Sequence, residues 1–169
     1  VLLMRLLAVV TGVVSATFFL FGLLDLLVFE QGIALDFLLP GVAVFLLFAW
    51  GLRGARGPLP SVVNRDAFLL VAGTWMLFGF LSAIPFRLIS GLGWADAVFE
   101  AVSGVTTTGA TILVGLDSMP RALLMYRQFL QWTGGLGVII FLVAIAPDLN
   151  VGGMRLFKLE VPGPMKEAK

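Results

Sequence analysis

Residues 103–111 read Ser-Gly-Val-Thr-Thr-Thr-Gly-Ala-Thr and lie in an uncharged stretch between hydrophobic segments. Threonine and glycine both disfavour a helix, so this stretch suits a short extended segment. Inside a bilayer, non-helical backbone is tolerated only where it is buried in protein or lines a water-filled cavity. A ring of backbone carbonyls in such a cavity can replace the hydration shell of a monovalent cation. The stretch therefore predicts part of an ion-conducting pore.

The composition of the 169-residue chain indicates a membrane protein. Hydrophobic residues make up 60% and charged residues 12% of the chain, whereas soluble domains average about 25% charged residues. The net charge of +1 gives no reason to expect nucleic acid as a partner. Cysteine and histidine are both absent, so the commonest general base and metal ligand are missing. We therefore expect neither an enzyme nor an organic cofactor.

Uncharged runs of 16 to 20 residues predict four membrane spans, at residues 6–24, 37–52, 67–86 and 128–147. A helix of 20 residues is about 30 Å long, which matches the hydrocarbon core of a bilayer. Between the last two spans, residues 92–102 predict a helix too short to cross, and residues 105–116 are uncharged but rich in threonine and glycine. A short helix followed by a non-helical apolar segment indicates a re-entrant pore loop.

The distribution of charge predicts the topology. With the N-terminus inside, the cytoplasmic side holds eight basic residues and the outer side three, in agreement with the positive-inside rule. Both termini are then cytoplasmic. The outer side also collects six acids, which form either a negative vestibule that attracts cations or ordinary solvated loops; both alternatives stay open. These acids are Asp25, Glu30, Asp36, Asp96, Glu100 and Asp117.

Three motifs resemble one family of transporters. Residues 99–111, Phe-Glu-Ala-Val-Ser-Gly-Val-Thr-Thr-Thr-Gly-Ala-Thr, resemble the first pore loop of the Trk/Ktr/HKT potassium transporter superfamily, especially its TrkH branch. Residues 131–140 resemble the Gln-Trp-x-Gly-Gly-x-Gly stretch of the helix that follows this loop. Residues 151–154 and 160–164 resemble the cytoplasmic linker beyond it. Three motifs in the family's order are far more specific than any one of them.

This resemblance implies an ion site. The family's transporters have four non-identical units around one axis, and filter carbonyls hold the transported potassium ion. In this chain the resemblance assigns the ion-binding filter to Thr106, Thr107, Thr108, Gly109, Ala110 and Thr111, with the backbone carbonyls of Thr107 and Thr108 as potassium ligands. It also implies a homodimer, a cytosolic nucleotide-binding regulatory subunit, and a multi-pass location in a bacterial inner membrane, with lipid around the helices.

The predicted fold is an all-α membrane protein in which two N-terminal transmembrane helices precede one helix–pore loop–helix unit (M1–P–M2) of a potassium-channel-like pore. Residues 1–58 hold the helix pair, residues 59–148 the first M1–P–M2 repeat, and residues 149–169 a cytoplasmic linker toward later repeats. Only one such unit is present, so further pore repeats are required. Because the chain opens with Val1, we interpret it either as a fragment or as the literal translation of an alternative start codon.

Several side chains near the loop permit more than one interpretation. Glu100 pairs within the protein, lines the outer mouth or snorkels to the membrane edge; these alternatives stay open. Arg127 precedes the last span, and we interpret it as an interfacial anchor in preference to a paired or functional group. The glycines of residues 134–137 predict close helix contact.

The alternative function is a non-conducting module for helical membrane interaction or assembly. The glycine-rich helix faces of the chain and the presence of a single pore-like unit favour this alternative. An intramembrane hydrolase is disfavoured, because the spans contain neither histidine nor lysine.

Overall fold

The computed structural model of the protein describes residues 2–57 and 64–145, and the regular structure of these residues is helical throughout. The C-terminal residues that resemble the family's linker, 151–154 and 160–164, lie outside the described part. The described residues form five α-helices in chain order: α1 Leu2–Leu24, α2 Ala34–Gly54, α3 Asn64–Ser90, α4 Trp94–Val105 and α5 Arg121–Ile145.

In the part of the chain that the structure describes, three helical segments are long and apolar enough to cross a membrane: Leu2–Phe29, Ala34–Gly54 and Leu69–Ser90. The first two segments contain the predicted spans 6–24 and 37–52 completely and extend beyond both ends of each. The third segment contains the predicted span 67–86 from residue 69 onward and extends beyond its C-terminal end. The fourth predicted span, residues 128–147, falls within α5 as far as Ile145. Charged residues mark where an apolar run stops, but backbone hydrogen bonding carries a helix past them. The predicted spans were therefore shorter than the helices.

Two compact units divide the chain, residues 1–134 and residues 135–169. The first unit holds α1 to α4 and the first part of α5. The described part of the second unit is the remainder of α5, residues 135–145, on which Leu136, Val138 and Ile139 are exposed.

The connection between α1 and α2 is organised by Asp25. The last turn of α1 widens into a π-helical turn, Asp25–Phe29, which ends at Glu30 in a left-handed conformation. The Asp25 carboxylate is buried and accepts hydrogen bonds from the backbone N–H of Gln31 at 3.3 Å and of Ile33 at 2.9 Å. Neither alternative for the acids therefore applies to Asp25, because its oxygens satisfy a turn and do not face water.

Aromatic rings from four helices meet on Tyr126 of α5. The ring of Tyr126 is fully buried, and the centroids of four phenylalanine rings lie 5.4 to 6.1 Å from its own. These rings belong to Phe18 and Phe21 of α1, Phe37 of α2 and Phe86 of α3. The Tyr126 hydroxyl donates a 2.9 Å hydrogen bond to the Ser82 carbonyl. Since buried aromatic side chains contribute large apolar areas, this cluster joins the N-terminal helix pair to α3 and α5.

The short helix α4 begins two residues later than predicted and ends three residues later, at Val105. The prediction that residues 103–105 are non-helical was therefore wrong. Ser103 and Gly104 are weak helix formers, but burial overrides their propensity. Ser103 and Gly104 are buried, and a Cβ at Gly104 would meet Leu130 of α5 at 3.3 Å. Close packing against α5 thus holds the last turn of α4 in place.

Gly134 of α5 lies directly against the end of α4. A Cβ added at this position would overlap the Val105 carbonyl oxygen. Only glycine allows the backbone of α5 to approach so closely. The predicted role of Gly134 in close helix contact is confirmed.

Candidate ion-binding segment

Residues 106–115 follow α4 as non-helical chain and lead to a short 3₁₀ turn, Leu116–Ser118. Three residues of this segment have left-handed backbone: Thr107 with φ of 59°, Gly109 with φ of 75° and Gly115 with φ of 72°. Glycine adopts this conformation without strain, but for a β-branched residue it is an outlier. Such strain costs about 1–3 kcal/mol and clusters at ligand sites and switches. The conformation of Thr107 therefore marks this segment as a candidate functional site.

The amide groups at the start of the segment turn back toward the end of α4. Thr107 N–H donates to the Gly104 carbonyl at 2.9 Å. Thr108 N–H and Gly109 N–H both donate to the Ser103 carbonyl, at 3.0 and 3.3 Å. These three bonds satisfy carbonyls that the last turn of a helix otherwise leaves without partners.

The orientation of three carbonyl groups follows from these bonds. In a planar trans peptide the C=O of one residue and the N–H of the next point in opposite directions, and the described residues contain no cis peptide bond. The carbonyls of Thr106, Thr107 and Thr108 therefore point away from the end of α4. Within residues 2–57 and 64–145, no hydrogen bond is donated to any of these three oxygens. All three residues are exposed.

A buried ion pair lies behind the segment. The Arg127 guanidinium of α5 donates from Nε to Glu100 Oε1 of α4 at 2.5 Å, and Glu100 is fully buried. The Thr111 hydroxyl contacts both oxygens of the same carboxylate, at 2.9 and 3.0 Å, and Ile112 N–H donates to it at 3.1 Å. Glu100 therefore links α4, α5 and the segment in one network.

The carbonyls of Gly109 and Ala110 are engaged by protein donors. Arg127 Nη2 lies 3.2 Å from the Gly109 oxygen and 3.5 Å from the Ala110 oxygen. The Ser103 hydroxyl donates to the same Ala110 oxygen at 2.6 Å. The six candidate residues thus lie together but fall into two groups. The first three present free carbonyls, and the last three are attached to α4 and α5.

Comparison with known proteins identifies the family. A family model described as a cation transport protein, TrkH, matches residues 40–169. The chain belongs to the TrkH cation transport family. Over 130 residues it is 48% identical to the Trk system potassium uptake protein TrkH of Escherichia coli (strain K12), which covers 76% of this chain and 26% of that protein.

Two further relatives give the same result. The protein of the same name from Halomonas elongata is 41% identical over 153 residues, 78% of this chain and 32% of the relative. The Trk system potassium uptake protein TrkG of Escherichia coli (strain K12) is 48% identical over 108 residues, 63% of this chain and 22% of the relative. This TrkH-family chain spans between about a fifth and a third of the length of these relatives.

The interpretation of Arg127 as an interfacial anchor was wrong for this member of the TrkH family. Its side chain is 8% exposed and pairs with Glu100, which lies 27 residues earlier in the sequence. Of the alternatives for Glu100, pairing within the protein is confirmed. A sequence signal was available: an acid and a base each adjoin long apolar stretches, where ionised groups usually pair. Sequence reasoning also missed Ser103, whose hydroxyl fixes the Ala110 carbonyl.

The ligands that this TrkH segment offers to a cation are backbone carbonyl oxygens and hydroxyl oxygens. The described residues contain no group of three or more His, Cys, Asp or Glu that could hold a metal ion. The Thr106 hydroxyl donates to the Val102 carbonyl at 2.8 Å and lies 2.8 Å from the Thr108 hydroxyl. The threonine hydroxyls at these two positions are therefore satisfied locally, and the carbonyls beside them are free.

Proposed function

We propose that this chain supplies the first M1–pore loop–M2 unit of a potassium uptake transporter, preceded by its N-terminal helix pair α1 and α2. In this proposal α3 is M1, α4 is the pore helix and α5 is M2. The backbone carbonyls of Thr107 and Thr108 coordinate a dehydrated potassium ion. Thr106, Gly109, Ala110 and Thr111 complete the filter segment.

One observation carries the proposal, namely the orientation of the carbonyls of residues 106–108. Their oxygens point away from α4, carry no protein hydrogen bond among the described residues and belong to exposed residues. Carbonyl dipoles that replace water around a cation must be free of other donors and fixed in place. The turn onto the end of α4 meets both requirements. The relatives' names, which specify potassium uptake, support potassium as the ion.

The electrostatics near the segment favour a cation. The C-terminal end of α4 carries a partial negative charge that faces the start of the segment. Arg127 would repel a cation, but Glu100 pairs with its guanidinium at 2.5 Å. The ion pair therefore holds the back of the filter without adding net positive charge to it.

A single unit supplies only part of a coordination shell. Because the free carbonyls lie on one exposed edge, further pore repeats are needed to surround the ion from the other sides. By the family resemblance, the complete transporter is a homodimer with a cytosolic nucleotide-binding regulatory subunit. The transporter lies in a bacterial inner membrane, and both the N-terminus and the C-terminus of this chain are in the cytoplasm.

Potassium uptake by the intact transporter tests the proposal. In a bacterial strain without other potassium uptake systems, Gly109→Leu should lower the initial rate of rubidium or potassium uptake at least tenfold, because leucine cannot hold a φ of 75° without strain. Gly91→Leu is the matched control, since Gly91 has a similar φ of 65° and no atom within 4 Å of an added Cβ.

Equal membrane abundance of both variants must be established by immunoblot. Uptake that survives Gly109→Leu at wild-type rate would reject the filter and favour the non-conducting module. Uptake that is lost equally in both variants would also reject it, because left-handed glycine in general would then be the cause.

A further inference from the structure

An apolar groove, here called the hairpin groove, runs along the contact between α1 and α2. Its first portion has a volume of about 390 Å³ and its second about 470 Å³. Both portions are lined by Ala8, Val9 and Phe48, so they form one continuous depression. The first portion begins at Arg5 and Arg56, and the second ends near Phe19.

The hairpin groove is long enough to cross the hydrocarbon region of one bilayer leaflet. Fourteen residues of α1 separate Arg5 from Phe19, which corresponds to about 21 Å along the helix axis. Half of the hydrocarbon core of a bilayer is about 15 Å thick. The hydroxyl of Ser15, which lines the groove, already donates to the Gly41 carbonyl at 3.0 Å. A hydrocarbon chain would thus meet an apolar lining along the whole groove.

Two arginines give one end of the hairpin groove a positive charge, which favours an anionic ligand. Arg5 donates from Nε to the Ala55 carbonyl at 3.1 Å and from Nη2 to the Gly57 carbonyl at 2.5 Å. These bonds hold its positive charge at the mouth of the groove, where Arg56 is exposed beside it. Among the residues that the structure describes, no acidic residue lines either portion. Guanidinium groups bind phosphate oxygens through paired N–H donors.

We propose that the hairpin groove binds an anionic glycerophospholipid. One acyl tail lies in the groove between α1 and α2, and the phosphate binds at Arg5 and Arg56. A zwitterionic lipid has the same phosphate and tails but carries a cationic group that the two arginines repel. The site therefore prefers a headgroup with net negative charge, as basic pockets between transmembrane helices do. This site is separate from the ion-binding segment and does not depend on the proposed transport function.

Lipid titration of the purified intact protein tests the proposal. The delipidated protein in detergent is titrated with palmitoyl-oleoyl-phosphatidylglycerol or with palmitoyl-oleoyl-phosphatidylcholine, and bound lipids are counted by native mass spectrometry. Arg56→Gln should weaken phosphatidylglycerol binding about fivefold, the effect of one cationic side chain near an anionic headgroup. Arg53→Gln is the control, because Arg53 is exposed near the same end of α2 but does not line the groove.

A second variant tests the tail-binding part of the groove. Ala16→Trp fills the groove and should abolish tight phosphatidylglycerol binding while both arginines remain. Leu46→Trp is its control, since Leu46 is 63% exposed and lies outside the groove.

Three outcomes would overturn the proposal. The first is equal affinity for the two lipids, and the second is an equal effect of Arg53→Gln and Arg56→Gln. The third is a change of oligomeric state in Ala16→Trp with lipid binding unaltered, because the groove would then be covered by a second copy of the chain.

Discussion

The Arg127 guanidinium of α5 lies 2.5 Å from the Glu100 carboxylate of α4, and both side chains are buried. The same guanidinium reaches the Gly109 carbonyl, and the same carboxylate accepts the Thr111 hydroxyl. One ion pair therefore fixes the second half of the candidate filter from two directions. The first half is fixed differently, by backbone bonds to the last carbonyls of α4.

Removal of one partner of this pair should destabilise the protein strongly. Arg127→Gln leaves the Glu100 charge buried without its cation, which costs about 3–5 kcal/mol. Thermal unfolding in detergent should show a large loss in this variant and partial recovery in the double variant Glu100→Gln/Arg127→Gln. The control Arg121→Gln changes an exposed arginine of the same helix and should have little effect. Strictly additive single and double changes would contradict the coupling of the two side chains.

The Thr111 hydroxyl should contribute measurably to the stability of the segment. Thr111→Val removes a donor to a buried carboxylate and also the acceptor of Leu113 N–H. A hydrogen bond to a charged group is worth about 1.5–3 kcal/mol, and the free energy of unfolding should fall by about 2 kcal/mol. Thr74→Val is the matched control, because the Thr74 hydroxyl bonds only the Leu70 carbonyl of its own helix. Comparable losses in the two variants would argue against a special role of Thr111.

Gly134 should tolerate no side chain. The Cβ of Gly134→Ala would overlap the Val105 carbonyl oxygen, and a backbone atom cannot move aside as a flexible side chain can. Overpacking of this kind costs about 1–3 kcal/mol or more, and it should displace the end of α4 and lower uptake. Gly73→Ala is the control, since its nearest neighbour would be Leu6 at 3.9 Å. In thermal unfolding, Gly73→Ala should be at least as stable as the wild type. Equal stability of Gly134→Ala and Gly73→Ala would refute the close contact.

The Tyr126 ring should contribute far more to stability than its hydroxyl. Tyr126→Phe removes one hydrogen bond to the Ser82 carbonyl, at a cost of about 1 kcal/mol. Tyr126→Ala empties the centre of the aromatic cluster, which should cost at least 3–5 kcal/mol, as for other buried rings. Trp132→Ala on the same helix changes a side chain that is 62% exposed and should cost less than either. Unfolding in detergent ranks the three variants, and a small loss for Tyr126→Ala would contradict the cluster.

The sequence predicted the first three membrane-capable helices because bilayer thickness fixes the length of an apolar run. It did not predict the end of α4, since the contact of Gly104 with Leu130 overrides a local preference against helix. The left-handed backbone of Gly109 fits its residue type, but that of Thr107 could not be foreseen, because threonine avoids this conformation unless its surroundings impose it. Glu100 and Arg127 were both recognised as unusual. Their pairing depends on how α4 packs on α5, which a single sequence does not specify.

The convergence of phenylalanine rings on Tyr126 has an evolutionary consequence. Three of these rings come from the first two helices, at Phe18, Phe21 and Phe37. In a homologue that lost those two helices, the side of the tyrosine that these rings cover would become exposed. Substitutions at position 126 should therefore accompany any such deletion, and in homologues that keep the helices these four positions should vary together.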